Sequence, residues 1–64
     1  MLKERIINDL EMCGIEITVG KYNYIINKRN VMEIEDGYIR FSDDDVAYTV
    51  PYGNILIYTL LLRK

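Results

Sequence analysis

Few side chains in this sequence have types and spacing that could support chemistry. The clearest group is the run Asp43, Asp44 and Asp45, because hard divalent cations prefer clustered carboxylates. The run lacks the alternating Asp or Asn ligands, the central Gly and the terminal Glu of a calcium-binding loop. It is therefore more typical of a solvated turn, and we predict neither a metal site nor a cofactor.

Cys13 and a pair of glutamates are the other candidates for catalysis. Cys13 is the only cysteine, and the chain has no histidine that could act as the base to activate its thiol. Glu33 and Glu35 could share acid–base work, but Arg40 is expected to lie opposite Glu33 and to form an ion pair with it. No combination of residues predicts a catalytic site, so we expect a protein that is not an enzyme.

Three cations lie close in sequence to two tyrosines, Tyr22 and Tyr24. Proteins that bind single strands combine stacking aromatic rings with cations that contact phosphates. The net charge of −2 makes such binding the less favoured hypothesis. The residues that would contact nucleic acid under this alternative are Lys21, Lys28 and Arg29.

The size and composition of the chain indicate one small globular domain over residues 1–64. A domain of this length buries about 60 % of the surface of its unfolded chain. One cysteine excludes an intrachain disulfide, so oligomerisation is the remaining common source of extra stability. The longest apolar stretch, residues 55–62, is short of the roughly 20 residues of a membrane-spanning helix. With a lone thiol and no signal-peptide pattern, we expect a cytoplasmic protein without membrane contact.

The elements begin with a predicted helix over residues 2–13. Its apolar stripe has intervals of four, four and three residues, and Gly14 is suited to end it. The stripe consists of Leu2, Ile6, Leu10 and Cys13.

From Ile15 onward the apolar period changes to two, which predicts strands. Gly20-Lys21 predicts a type II′ turn that sets Val19 opposite Tyr22. Residues 28–30 predict a three-residue hairpin loop with Asn30 in the left-handed conformation. The other expected pairs are Ile17 with Tyr24, Ile15 with Ile26, Ile26 with Met32, and Tyr24 with Ile34.

Two further turns continue the predicted sheet. Asp36-Gly37 is a strong turn signal that pairs Glu33 with Arg40 across two strands. The inner pairs of that hairpin are Ile34 with Ile39 and Met32 with Phe41. A polar turn follows over Ser42 to Asp45, and a loop over residues 51–54 would set Val50 opposite Ile55 and Tyr48 opposite Ile57. The predicted fold is α+β, with one N-terminal helix on an antiparallel meander of about five to six strands.

The segment from Ile55 to Leu62 is apolar at nearly every position. We favour a strand, whose second apolar face would need a cover, over a helix that begins at Asn54. As a strand, its outer face would form an unusually apolar patch. This predicted protein interface consists of Leu56, Tyr58, Leu60 and Leu62.

Together these features predict a small non-enzymatic protein-binding module that forms a homodimer through its last strand and also binds an unknown protein. By analogy with compact free-standing chains of phages and mobile elements, we expect an accessory regulator or inhibitor of a larger protein. Two other hypotheses remain. One is a single-stranded nucleic-acid-binding protein, and the other is a protein that sequesters a small ligand in a pocket at a dimer interface, lined by tyrosines.

Overall fold

The computed structural model describes residues 2–62, which form one helix and six antiparallel strands in two three-stranded sheets. The fold class is α+β, as predicted. Sheet one has the strand order β2-β1-β6 and sheet two the order β3-β4-β5. The elements are α1 Leu2–Met12, β1 Gly14–Val19, β2 Tyr22–Ile26, β3 Val31–Ile34, β4 Tyr38–Asp43, β5 Val46–Pro51, a 3₁₀ turn Tyr52–Asn54, and β6 Ile57–Leu61. No helix within this part of the chain is long and apolar enough to cross a bilayer.

Helix α1 confirms the predicted amphipathic segment. Its stripe buries Ile6 and Leu10 against both sheets, and the Cys13 N–H donates a last helical bond to the Asp9 carbonyl at 2.8 Å. The chain then enters β1 at Gly14, where an added Cβ would lie 3.3 Å from the Ile26 carbonyl oxygen. A larger residue there would require the neighbouring backbone of β2 to shift by a few tenths of an ångström.

The first hairpin forms in the predicted register. Val19 pairs with Tyr22, and the two further expected pairs follow along β1 and β2. Gly20 has a φ of +61°, and Lys21 does not share the left-handed region. This combination matches the type II′ turn, so the glycine is required by the backbone rather than by packing.

The second hairpin is also formed, with one correction. Glu33 pairs with Arg40 and Ile34 with Ile39, and the Arg40 Nη1 lies 3.2 Å from the Glu33 Oε1. Phe41, however, pairs with Val31, because a bulge between Val31 and Glu33 leaves Met32 outside the ladder and exposed. The predicted inward position of Met32 is wrong for that reason.

The polar turn between β4 and β5 is tighter than expected. Asp43 belongs to β4 and pairs with Val46, so the turn itself comprises only Asp44 and Asp45, with φ values of 49° and 67°. Two consecutive left-handed residues are typical of a type I′ turn, and Asp is among the residues that tolerate this conformation.

The predicted single meander is wrong at two connections, the first of which lies between β2 and β3. The amide group of Asn30 donates to the carbonyls of Ile25 at 2.9 Å and Ser42 at 3.1 Å. Its side-chain oxygen accepts the Asn27 N–H at 2.7 Å. One side chain therefore ties β2 of sheet one to β4 of sheet two, and the hairpin pairs of Ile26 with Met32 and Tyr24 with Ile34 do not form. Asn30 is not in the left-handed region either.

The second wrong connection follows β5. After Pro51, the 3₁₀ turn directs the chain to sheet one, where β6 pairs with β1 instead of β5. The Tyr52 N–H donates to the Gly37 carbonyl, and the Leu56 N–H donates to the Thr18 carbonyl at 2.8 Å. Neither Val50 with Ile55 nor Tyr48 with Ile57 forms a pair.

The two sheets and the helix enclose one core. The central strands β1 and β4 each supply two fully buried side chains, and α1 supplies the fully buried Ile6 and the almost fully buried Leu10. The buried apolar residues are Ile6, Leu10, Ile15, Ile17, Ile26, Ile39, Phe41 and Val50. This core positions β6 at the outer edge of sheet one, which is the region of interest below.

Candidate functional site

Strand β6 is the element with the most unusual surface. The predicted strand over this segment is confirmed for Ile57–Leu61. β6 pairs with β1 along one edge, and within residues 2–62 no strand pairs with its other edge. The sequence from Ile55 to Leu62 contains neither a charged residue nor proline, although natural edge strands commonly carry such residues to prevent unwanted pairing.

The register of β6 reverses the predicted inner and outer faces. Tyr58 pairs with Ile17 and Leu60 with Ile15, and both isoleucines are fully buried. Because directly paired residues share a face of the sheet, Tyr58 and Leu60 point toward the core side. The expectation that Tyr58 faces outward is wrong, since it assumed that β6 follows β5 in one meander, whereas Leu60 remains 39 % exposed.

Tyr58 is held by helix α1. Its hydroxyl donates to the Asp9 Oδ2 at 2.7 Å, and the Arg5 guanidinium lies 5.4 Å from the centre of its ring. The Arg5 Nε is in turn 3.8 Å from the same Asp9 oxygen. Burial, and next the hydrogen bond to Asp9, raise the pKa of Tyr58 far above its usual value. Tyr58 thus fastens β6 to the helix and is not free to contact a partner.

The remaining apolar side chains of the segment are exposed. Leu56 is 68 % exposed, Ile57 is 57 % exposed and Leu62 is 79 % exposed. Leu60 is less exposed than these three, at 39 %. We call these four residues the β6 edge patch: Leu56, Ile57, Leu60 and Leu62. Three of them belong to the predicted interface, whereas Ile57 was expected inside.

The predicted nucleic-acid contacts are not brought together. Lys21 lies in the turn before β2, whereas Lys28 and Arg29 lie at the corner after it. The five residues of β2 therefore separate them by roughly 17–20 Å at about 3.3 Å per residue. Lys28 is also engaged by Glu11 of the helix at 2.8 Å. A single strand would have to span the length of β2 to meet all three.

A cleft of about 450 Å³ lies between the end of α1 and the corner after β2. Its size is within the range of small-molecule sites, but the Lys28–Glu11 ion pair joins its two sides. Cys13 lines it and is half-buried. The other lining residues are Leu10, Met12, Asn27 and Arg29. The cleft contains no tyrosine, so it differs from the tyrosine-lined ligand site considered from the sequence.

An aromatic cluster that the sequence did not predict joins the two sheets. The ring of Tyr24 lies 5.4 Å from Phe41 and 4.9 Å from Tyr48, measured between ring centres. Tyr22 extends the cluster, with its ring centre 6.4 Å from that of Tyr24. The period-two pattern placed Tyr22 and Tyr24 on an inner face, but it did not show that β4 and β5 would meet them from a second sheet.

The acidic run lies beside this cluster. Asp43 is on the same face of β4 as Phe41, two residues further along, and Asp44 and Asp45 form the adjoining turn. Among the residues that the structure describes, no group of three or more Cys, Asp or Glu side chains is arranged to hold a metal ion. The carboxylates therefore contribute negative charge beside the aromatic cluster.

Comparison of the chain with protein-family models, with curated proteins and with solved structures gave no match. The functional assignment accordingly depends on the surfaces described above.

Proposed function

We propose that this protein is a non-enzymatic protein-binding module that self-associates through the β6 edge patch. The observation that carries the proposal is the combination of an unpaired strand edge with exposed apolar side chains and no charged residue. Large exposed apolar patches on small domains mark interaction sites. At β6 that patch coincides with a row of unpaired backbone N–H and C=O groups.

Two copies of the chain can pair the free backbone edges of β6 and cover the exposed apolar side chains at the same time. Antiparallel pairing of β6 with β6 of a second copy about a two-fold axis uses the same surface on each chain. The two copies of sheet one would then form one continuous six-stranded sheet, and the patches would cover each other beside the new ladder. Self-association also supplies the additional buried apolar surface that a domain of this size needs.

The alternatives have less support. The three cations of the nucleic-acid hypothesis are divided between two ends of β2, and Lys28 already has a carboxylate partner. The cleft at the end of α1 is bridged by that same ion pair, and its lining contains no tyrosine. By contrast, nothing within residues 2–62 covers the edge of β6.

The test compares two isoleucines that differ only in the edge they occupy. Ile57 on β6 and Ile25 on β2 are both 57 % exposed, and both point away from the core on opposite edges of sheet one. The solution mass of the wild type, Ile57→Glu and Ile25→Glu should be measured by light scattering on a size-exclusion column across a dilution series.

We expect a wild-type dimer, an Ile57→Glu chain whose dimer dissociation constant rises at least about tenfold, equivalent to about 1.4 kcal/mol, and an Ile25→Glu chain like the wild type. Circular dichroism of both variants would verify that they remain folded. A wild-type monomer at all concentrations, or an equal effect of the two substitutions, would contradict self-association through β6.

A further inference from the structure

A second surface lies on the opposite edge of sheet one from β6 and spans both sheets. We call it the aromatic–acidic surface and define it as Tyr22, Tyr24, Tyr48 and Asp43. Tyr22 and Tyr24 come from β2, Tyr48 from β5 and Asp43 from β4. The turn Asp44-Asp45 adjoins it, so three carboxylates lie at the border of an aromatic platform.

The rings form a platform and not a cage. Tyr24 and Tyr48 are tilted by 45° with their ring centres 4.9 Å apart, and Tyr22 is tilted by 35° against Tyr24. At these distances the rings touch one another and leave no space between them for a ligand. Tyr22 is 66 % exposed, while Tyr24 and Tyr48 are partly exposed. A ligand would therefore lie on the ring faces and edges.

The polar groups of this surface have no partner within residues 2–62. Among residues 2–62, the hydroxyls of the three tyrosines form no hydrogen bond, and Asp43, Asp44 and Asp45 form no ion pair. Burial, and then the neighbouring Tyr48, Tyr22 and Asp43, raise the pKa of Tyr24. Tyrosines are uncharged near neutral pH, so the negative charge beside Tyr24 comes from the carboxylate of Asp43, which attracts cations.

The contacts of Tyr58 show which group can pair with a tyrosine ring that lies beside a carboxylate. At Tyr58, a guanidinium lies over the ring at 5.4 Å, and the Asp9 carboxylate accepts from the tyrosine and pairs with Arg5. The aromatic–acidic surface has the rings and the carboxylates, but no arginine within residues 2–62 pairs with either. Guanidinium groups bind ring faces through cation–π attraction and stacking, and they pair with carboxylates.

We propose that the aromatic–acidic surface binds an arginine-bearing peptide segment of a partner protein. The guanidinium of the partner lies on the Tyr24–Tyr48 platform and pairs with Asp43 or the adjoining turn, while Tyr22 covers the aliphatic part of its side chain. This partner is separate from the second copy that covers β6, because the two surfaces lie on opposite edges of sheet one. The inference holds whether the chain is monomeric or dimeric.

Charge decides between this partner and a nucleic acid. Stacking of bases on tyrosines is compatible with the rings, but three carboxylates beside them repel phosphates. Lys21, the nearest cation in sequence, is a single charge in the adjacent turn. The surface therefore favours a cationic ligand over an anionic one.

The proposal is tested by titrating the full chain with an acetylated, amidated peptide of four arginines alternating with glycines. A peptide of the same length with citrulline in place of arginine is the control, since it has a similar shape without the charge. Binding is followed by amide chemical shifts in two-dimensional NMR spectra. Exposed cation–π contacts are individually weak, so we expect a dissociation constant of about 1 mM or higher.

We expect shifts concentrated at residues 22–24 and 41–48, at least a fivefold weaker response with the citrulline peptide, and loss of most binding in Tyr22→Ala. The double variant Asp43→Asn and Asp45→Asn should weaken binding to the same degree, because it removes two negative charges. The turn should keep its shape, since Asn tolerates the left-handed conformation. Glu35→Gln, at an exposed acid in the turn between β3 and β4, is the matched control and should bind like the wild type.

Three results would overturn the inference. They are equal binding of both peptides, shifts centred away from residues 22–24 and 41–48, and saturable binding of an oligothymidine in place of the arginine peptide at low salt. Well-dispersed spectra of each variant would show that a lost response comes from the surface and not from unfolding.

Discussion

The two sheets differ in how they are assembled from the chain. In sheet two, the three strands follow one another through two tight turns, so every pair joins neighbouring segments. In sheet one, β1 pairs with the next strand on one side and with β6 on the other, where Gly14 meets Leu61. Sheet two is therefore specified by local turn chemistry, whereas sheet one needs distant contacts to hold its last strand.

The edges of the two sheets show a related difference. β5, at the edge of sheet two, follows an acidic turn and ends at Pro51, features that discourage pairing with a foreign strand. β6, at the edge of sheet one, has no such protection between Ile57 and Leu61. The sheet that depends on distant contacts is thus also the one that offers an edge to a partner.

The largest expected effect comes from breaking the core shared by both sheets. Phe41 is fully buried and its ring contacts Tyr24 and Tyr48. Phe41→Ala should reduce the free energy of unfolding by about 3–5 kcal/mol, which is most of the stability of a small domain. Urea unfolding followed by circular dichroism would measure it. Leu60→Ala, at a partly exposed position of β6, should cost clearly less; equal losses would mean that the core is not centred on β4.

An intermediate effect is expected where the sheets are joined. Asn30→Ala removes three hydrogen bonds to the backbone of both sheets and leaves partly buried polar groups unpaired. We expect a loss of about 1–3 kcal/mol, with faster hydrogen exchange near both Ile25 and Ser42. Asn30→Asp retains the oxygen that accepts from Asn27, but it places an acceptor against the Ile25 and Ser42 carbonyls and should lose at least as much. Faster exchange in one sheet alone would show that Asn30 does not couple the two.

The smallest effect is expected at the contact that fastens β6 to the helix. Tyr58→Phe removes the hydrogen bond to Asp9 and should lower stability by about 1 kcal/mol. Tyr22→Phe is the control, because its hydroxyl has no partner within residues 2–62, and it should leave stability unchanged. Similar losses in both variants would argue against the role of Asp9.

The same contact predicts how stability depends on alkaline pH. The pKa of Tyr58 is raised in the folded state, so above pH about 10 the unfolded chain releases its tyrosine proton while the folded chain keeps it. Stability should therefore be complete below pH about 10 and fall as the pH rises further. Tyr24 and Tyr52 contribute in the same direction. Tyr58→Phe should make the fall less steep, as measured by urea unfolding at several alkaline pH values.

The sequence predicted the local parts of this fold and missed the distant ones. The helix stripe, the Gly20-Lys21 turn and the pairing of Glu33 with Arg40 depend on neighbouring residues, and all three are confirmed. The corner at Asn30 was missed because its hydrogen bonds reach a strand that comes later in the chain. The bulge at Met32 was missed because alternation alone cannot show an extra residue in a strand.

The candidate site shows the same division. That residues 55–62 form a strand could be predicted from composition, and exposure of Leu56 and Leu62 agrees with the expected outer face. The position of Tyr58 could not be predicted, since the pairing of β6 with β1 decides which face meets the helix. The aromatic–acidic surface was likewise hidden, because it requires β2, β4 and β5 to meet across two sheets.

The pairing of Gly14 with Leu61 also has a consequence for the order in which the domain folds. Hairpins with tight turns form within microseconds, so the three strands of sheet two and the β1–β2 pair can assemble early. Placing β6 beside β1 closes a loop that contains most of the chain. The chain loses the entropy of closing this loop before the contacts of Tyr58 can stabilise the pairing. Docking of β6 is therefore expected to limit the folding rate, and the edge that we propose as the dimer interface is completed only in that last step.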